Sequence, residues 1–433
     1  MTADHIAKGC PVTDFDTIDF FTDPSLVPDP HPYFDYLRAK GPVVRESLHG
    51  VVAVTGYDEA MALYKDIDSF SSCVAVGGPF PPLPFEPSGD DISDLIEQHR
   101  TELPLHERMV TMDPPDHTRA RSVLSRLLTP ARLKENQDFL LTLADEQLDE
   151  FVDRGECEFL AQYSKPYSLL AVANLLGVPE TDHKEFRMEL ADSHTVGNLD
   201  HDPAAINPLE FLDEKFGFYI EDRRREPRGD VLSDLAGAKY PDGSTPEIVD
   251  VVRTATFLFG AGQETTAKLL GAALQILCDR PDLQQTLRGD RSLIPVFIEE
   301  TLRMESPVKS AFRLARKSTC LGGVDIPAGT IVMVSPGAIN RDPNRFENPH
   351  EFRLDRPNVR EQIAFARGVH TCPGAPLARV EGRISLERIL DRMGDIRANE
   401  AEHGPADNCR HSYAPTFMMR GLTELHLQFT PTK

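Results

Sequence analysis

Phe365-Ala366-Arg367-Gly368-Val369-His370-Thr371-Cys372-Pro373-Gly374-Ala375-Pro376-Leu377-Ala378-Arg379 sets one cysteine between two glycines and then passes directly into helical apolar spacing. Cys372 therefore stands just ahead of a helix N-terminus. The unpaired N–H groups and the positive end of the helix dipole there stabilise a thiolate, the form of cysteine that binds metal. Gly368 and Gly374 permit tight backbone paths that a residue with a Cβ resists. A cysteine taken at random is more often a small buried hydrophobe, so the meaning of this one rests on what accompanies it elsewhere in the chain.

Upstream, Ser244 and Glu247 have the spacing of a capping box, and Pro246 falls in the first turn. Helical spacing then runs to Cys278, where Asp279-Arg280-Pro281 ends it. At about 1.5 Å per residue this helix is about 50 Å long, which predicts a central element. Its middle, Gly260-Ala261-Gly262-Gln263-Glu264-Thr265-Thr266, combines small residues that let a flat group approach with an acid beside an alcohol. Thr265 has the spacing to hydrogen-bond the Ala261 carbonyl and open the helix locally. Glu300 and Arg303 share a helical face, as do His117 and Arg121, and either pair alone reads as an ordinary solvated feature.

The run from Phe365 to Arg379 resembles the cysteine-loop signature of the cytochrome P-450 family, F-x-x-G-x-H-x-C-x-G-x-x-L-A-R, at every specified position. The Gly260–Thr266 segment is similar to the family's oxygen-activation motif, and Glu300 with Arg303 to its E-x-x-R pair. Phe346-x-x-Pro349-x-x-Phe352-x-x-x-Arg356 resembles the segment that supplies the third member of that set. The resemblance runs from about Pro30 to Phe429. It implies a single domain over 1–433, with a short flexible N-terminus over about 1–20, mainly α with small β-sheets (α+β). The implied shape is a triangular, helix-rich prism enclosing one haem b.

By the same resemblance Cys372 is the axial iron ligand, Phe365 packs beside it, and Gly374 and Ala261 admit the close approach of the haem. His117, Arg121, Arg313 and His370 are implied to donate to the haem propionates. Many relatives carry Trp where this chain has His117, and this chain contains no Trp. Glu264 and Thr265 take the catalytic positions that organise proton delivery, while Glu300, Arg303 and Arg356 hold the cysteine loop. Positional resemblance draws the substrate pocket from Val74, Val76, Phe80, Phe257, Ala261, Val308, Phe312 and Phe417, which suits an apolar terpenoid, steroid or fatty acid. The implied activity is that of a haem-thiolate monooxygenase fed by a separate ferredoxin and its NAD(P)H-dependent reductase, since the chain has no flavin motif. A docking site near Arg126, Arg132 or Arg367 is expected. A peroxide-driven haem-thiolate peroxygenase is the enzymatic alternative, but it has no need of the Glu264-Thr265 pair. A haem-based ligand sensor is the non-enzymatic one and would be expected to bring a fused output segment.

Composition sets the outer limits. The 433 residues are 40% hydrophobic and 27% charged, enough apolar material for a large core. A formal net charge of -23 repels polyanions, which disfavours nucleic acid and anionic membrane surfaces as partners. The most apolar stretch, Thr254 to Gly262, is too short to cross a bilayer, and the N-terminus lacks the apolar run of a secretory signal. Seven cysteines without a CxxC pair suggest neither a disulfide framework nor a zinc site and fit a reducing cytoplasm. A monomer is expected.

The rest of the chain predicts a hairpin within Pro42–Thr55, turning at His49-Gly50, and a long Gly/Pro-rich loop over Ser71–Ser88 placed as a candidate lid. Helices are expected from Asp116 to about Arg225, broken at Thr129-Pro130, Gly155, Gly177-Val178-Pro179 and Asn207-Pro208. Strands are expected within Arg313–Ser335 and Leu422–Phe429.

Overall fold

A computed structural model describes residues 15–124, 127–190, 197–200 and 209–432, apart from the Asp407 side chain. The chain opens with α1 (His31–Lys40), the hairpin β1 (Val43–Arg45) and β2 (Val52–Val54), α2 (Tyr57–Lys65) and β3 (Phe70–Ser71). A helical series follows: α3 (Ser93–Gln98), α4 (Asp116–Leu124) and α5 (Pro130–Asp149), then β4 (Glu156–Glu158), α6 (Lys165–Leu176), α7 (His183–Glu189), α8 (Glu210–Arg225) and α9 (Val231–Ala236). Next come α10 (Ile248–Asp279), α11 (Pro281–Gly289), α12 (Ile294–Met304), β5 (Ala311–Ala315), β6 (Thr319–Leu321), β7 (Val324–Ile326), β8 (Ile331–Val334) and α13 (Pro336–Ile339). The chain ends with α14 (Ala375–Arg392), β9 (Met393–Ala398) and β10 (His426–Pro431).

The breaks read from sequence have local causes. Thr129 caps α5, its Oγ1 accepting from Arg132 N at 3.3 Å, with Pro130 in the first turn. Gly177 ends α6 in the left-handed region at φ 76°. Asn207-Pro208 lies outside the described residues. One cap is corrected: Ser244 Oγ turns back to Asp242 at 2.5 Å, and α10 begins after Glu247 with no side-chain cap bond. Pro246 precedes the helix, so there is no capping box.

α10, 32 residues long, packs against α6, α8, α12 and α14 and carries the largest hydrophobic cluster. Ser168 Oγ donates to the Gln263 carbonyl at 2.7 Å and ties α6 to its middle. The hairpin forms as expected, Val43 opposite Val54, but β2 also pairs in parallel with β8. A five-stranded sheet in the order β1-β2-β8-β5-β3 results, beside a three-stranded sheet β4-β10-β9 and the pair β6-β7. Of the segment expected to be flexible, residues 1–14 lie outside the described residues, whereas Phe15 and Phe20 pack on Tyr33 of α1 with ring centroids 5.9 and 5.5 Å away. The loop after Ser71 is seated rather than free over its first half: Cys73 and Val74 are buried, and a Cβ on Gly78 (φ +60°) would sit 2.9 Å from the Phe312 ring.

Candidate functional site

The cysteine loop closes on itself before α14 begins. Cys372 N donates to Phe365 O at 2.9 Å, and Thr371 N to Gly368 O at 3.1 Å. Gly368 has φ +71°, and a Cβ there would stand 2.4 Å from the Tyr64 carbonyl, so no other residue fits. Burial pushes the Cys372 thiol above its ordinary value, opposed by the N–H groups of Gly374 and Ala375 and by Arg121 and Arg379. Those four groups favour the thiolate that a bound cation completes. A Cβ on Gly374 would meet only Cys372 Sγ, at 3.8 Å, so the space over the sulfur is open to a flat ligand.

Two carboxylates on α12 brace this loop from behind. Glu300 and Arg303 are 0% exposed, with Arg303 Nε 2.8 Å from Glu300 Oε2 and Arg356 Nε 3.0 Å from Oε1. Arg303 also donates to the carbonyls of Asn340 and Pro349, so the triad ties α12 to the segment leading into the loop. Glu299, which the sequence reading passed over, takes Arg379 Nε at 2.5 Å and Gln362 Nε2 at 3.0 Å. Arg379 in turn lies over the Phe365 ring at 4.7 Å.

Cys372, Phe365, Gly374, His370, His117, Arg121 and Arg313 all face one cavity of about 380 Å³, together with Ala261, Glu264 and Thr265 of α10. Two of the donors, Arg121 and Arg313, are guanidinium groups, and the other two are imidazoles. The His117 and His370 rings lie 4.0 Å apart, and burial lowers His117 to about 4. Both ring nitrogens of His117 are buried without a partner, Arg121 Nη2 donates to Thr371 O at 2.5 Å, and buried Arg313 donates one N–H to Phe312 O at 2.7 Å. His370 Nε2 meets Ser72 Oγ at 3.0 Å. Asp113, on the same side, is occupied by Ser71 Oγ and Ser72 N. Orphaned imidazole nitrogens beside two guanidinium groups fit a bound group that brings its own carboxylates, and the residues present therefore fit haem b.

Also lining this cavity, Thr265 Oγ1 donates to Ala261 O at 2.9 Å as the spacing predicted, although α10 runs unbroken through that turn. Glu264 Oε1 lies 3.0 Å from Lys268 Nζ, a partner the motif did not announce. Glu381 of α14 also lines the cavity; full burial raises its carboxyl to about 8, against a hydrogen bond from Thr266.

The expected substrate residues divide. Val76, Phe257, Ala261 and Val308 line the cavity, but Val74, Phe80, Phe312 and Phe417 do not. These four join a separate aromatic cluster with Phe21, and the Phe312 and Phe417 centroids are 5.8 Å apart. Strand alternation is the reason: on β5, Arg313 faces the cavity, so Phe312 faces the other side. The roof instead comes from Leu105, Met109, Leu209, Leu212 and Met418, on segments with no motif to mark them. Of the expected docking residues, Arg126 lies outside the described residues, Arg132 is paired with Asp234, and Arg367 donates to the Gln362 carbonyl at 2.7 Å.

A helix-rich α+β fold that lines one cavity with a half-buried cysteine, a set of N–H donors, and an acid beside an alcohol defines the haem-thiolate class. A family model described as cytochrome P450 matches residues 206–393. Cytochrome P450 144 of Mycobacterium tuberculosis is 32% identical over 437 residues, covering 99% of this chain and 94% of that relative. The chain belongs to the cytochrome P450 family: it is a monooxygenase whose cofactor is haem b. Its fold is similar to substrate-free CYP150A6 of Mycobacterium marinum, with TM-score 0.92 and 67% identity over 97% of this chain and 100% of that one. CYP109E1 of Bacillus megaterium, solved in complex with testosterone, has TM-score 0.76 and 25% identity over 92% and 99% of the two chains. No helix among the described residues is long and apolar enough to cross a membrane.

Proposed function

We propose that this chain inserts one atom of dioxygen into an apolar small molecule of the terpenoid, steroid or fatty-acid kind, with electrons from a separate ferredoxin and its NAD(P)H-dependent reductase. The observation that carries this reading is one cavity lined by Cys372, by the donors Arg121, Arg313, His117 and His370, by the acid–alcohol pair Glu264 and Thr265, and by largely apolar side chains. When bound, the haem supplies the dioxygen chemistry, which a thiolate ligand promotes by pushing electron density toward iron. Cys372 would hold its iron through the thiolate, with Phe365 alongside. Arg121, Arg313, His117 and His370 would hold its carboxylates, and Ala261 and Gly374 would leave room for it.

Thr265 Oγ1 can leave the Ala261 carbonyl and donate its proton toward the space above Cys372. Glu264 then returns a proton to Thr265, a general-acid role. This acid–alcohol pair favours dioxygen-driven chemistry over a peroxide-driven cycle, which brings its own protons. A testosterone-bound neighbour of the same fold supports a ligand of steroid size.

The test is the absorbance of the dithionite-reduced carbon monoxide complex of the wild type and of Cys372→Ser. The expected result is a strongly red-shifted Soret band in the wild type alone, followed by a spin-state shift on titration with testosterone or a long-chain fatty acid. A histidine-like band in the wild type would sink the reading.

A further inference from the structure

The acid beside Thr265 is held by a residue one helical turn further along α10. Lys268 Nζ lies 3.0 Å from Glu264 Oε1, the side chains being 10% and 30% exposed. Glu followed four residues later by Lys is the favourable order for such a pair. A lysine on a helix surface usually sends its flexible stem outward to keep the ammonium in water. This stem does the opposite and lies against Gly421, where an added Cβ would come within 2.5 Å of Lys268 Cγ and 2.9 Å of Cδ. The Gly421 backbone is fixed in turn: its carbonyl accepts from Ala414 N at 3.0 Å, and Arg420 N donates to Pro307 O at 2.8 Å. The same segment supplies Met418 and Met419 to the cavity wall.

We propose that Lys268 is a positioning residue that sets where the Glu264 carboxylate points relative to Thr265, and that Gly421 is the seat that fixes Lys268. The proposal rests on the monooxygenase reading above. Lys268 does not touch substrate or reacting atoms; it acts through Glu264. With the ammonium anchored, the carboxylate samples few rotamers, and the route from Glu264 to Thr265 Oγ1 keeps one geometry. A seat in the Met418-Met419 segment also means that a ligand pressing on that wall presses on the residue holding the acid.

The experiment uses the haem-loaded protein as wild type, K268M, K268R and G421A. K268M keeps an unbranched stem on Gly421 and removes the charge, K268R keeps a cation, and G421A displaces the stem. The first readout is the infrared C–O stretch of the reduced carbon monoxide complex, which reports the polar field beside the bound gas. K268M and G421A are expected to broaden or split the single wild-type band, and K268R to restore it. The second readout is hydrogen peroxide released per reducing equivalent with testosterone present, expected to rise at least threefold in K268M and to return toward wild type in K268R. Turnover driven by added hydrogen peroxide should change less than twofold. Should K268M take up no haem, G421A and K268R carry the same comparison.

A wild-type C–O band together with wild-type peroxide release in K268M and G421A overturns the proposal while leaving the function intact. A wild type without the red-shifted Soret band overturns the function and this proposal with it.

Discussion

Glu381 shows how far one position alters the chemistry of a residue type. α14 buries its carboxyl in the cavity wall with Thr266 as its hydrogen-bond partner, and the loss of solvation outweighs that bond and raises it to about 8. The consequence for stability has a definite sign. Below about pH 4.5 both folded and unfolded chains hold this proton; between about 4.5 and 8 the unfolded chain loses it while the folded chain keeps it. Stability from this group is therefore fully present at low pH and drains away as pH rises through that window, by an amount on the order of a few kcal/mol. Glu381→Gln removes the dependence. Thermal unfolding of the two proteins from about pH 5 to 9 should show the variant gaining on wild type as pH rises; parallel curves would mean that Glu381 titrates normally.

At the scale of elements, the Glu300-Arg303-Arg356 triad converts the geometry of α12 into a fixed position for the cysteine loop. Its charges are fully desolvated, so the net worth of the pairs is small, but an orphaned member is costly. Arg303→Ala leaves Glu300 with Arg356 as its one charged partner, beside the Arg353 backbone N–H, and deprives the Asn340 and Pro349 carbonyls of a donor. A loss of about 3–5 kcal/mol is expected in denaturant unfolding, together with weaker haem retention, although Arg303 lies outside the cavity. The spacing of Glu300 and Arg303 was visible in sequence, but their burial was not: the same pair on an exposed helix contributes about 0.2–0.5 kcal/mol. Glu299 illustrates the opposite gap. Nothing local distinguishes it from a surface acid, because its partners Arg379 and Gln362 arrive from 80 and 63 residues away.

Across the whole molecule, legibility followed the range of the interaction. The cysteine loop, the Thr265–Ala261 bond and the helix breaks are set by neighbours within a few residues, and sequence spacing carried them. The parallel pairing of Val52 with Val332 joins strands far apart in the chain and leaves no mark on either strand. The inward or outward choice between Phe312 and Arg313 is likewise a matter of register, which one residue reverses. The cavity roof is the extreme case, since apart from Met418 its two halves come from the loop before α4 and the chain entering α8.

Among the described residues, one ion pair joins those halves. Arg108, 2% exposed, lies between the roof residues Leu105 and Met109, and its Nη1 donates to Asp213 Oδ1 at 3.0 Å while Nη2 meets Oδ2. Asp213 directly follows Leu212, and Arg108 Nη1 also reaches the Arg253 carbonyl of α10 at 3.5 Å, so loop, α8 and central helix meet at one guanidinium. A bulky ligand that passes between the two halves must part this pair, whereas a diatomic gas need not. Asp213→Asn should therefore speed both association and dissociation of clotrimazole, followed by its Soret shift in stopped flow, by about tenfold, the equivalent of about 1.4 kcal/mol. Carbon monoxide association should change less than twofold. Equal acceleration of the gas would point to general loosening of the fold, and unchanged azole rates would place the route into the cavity elsewhere.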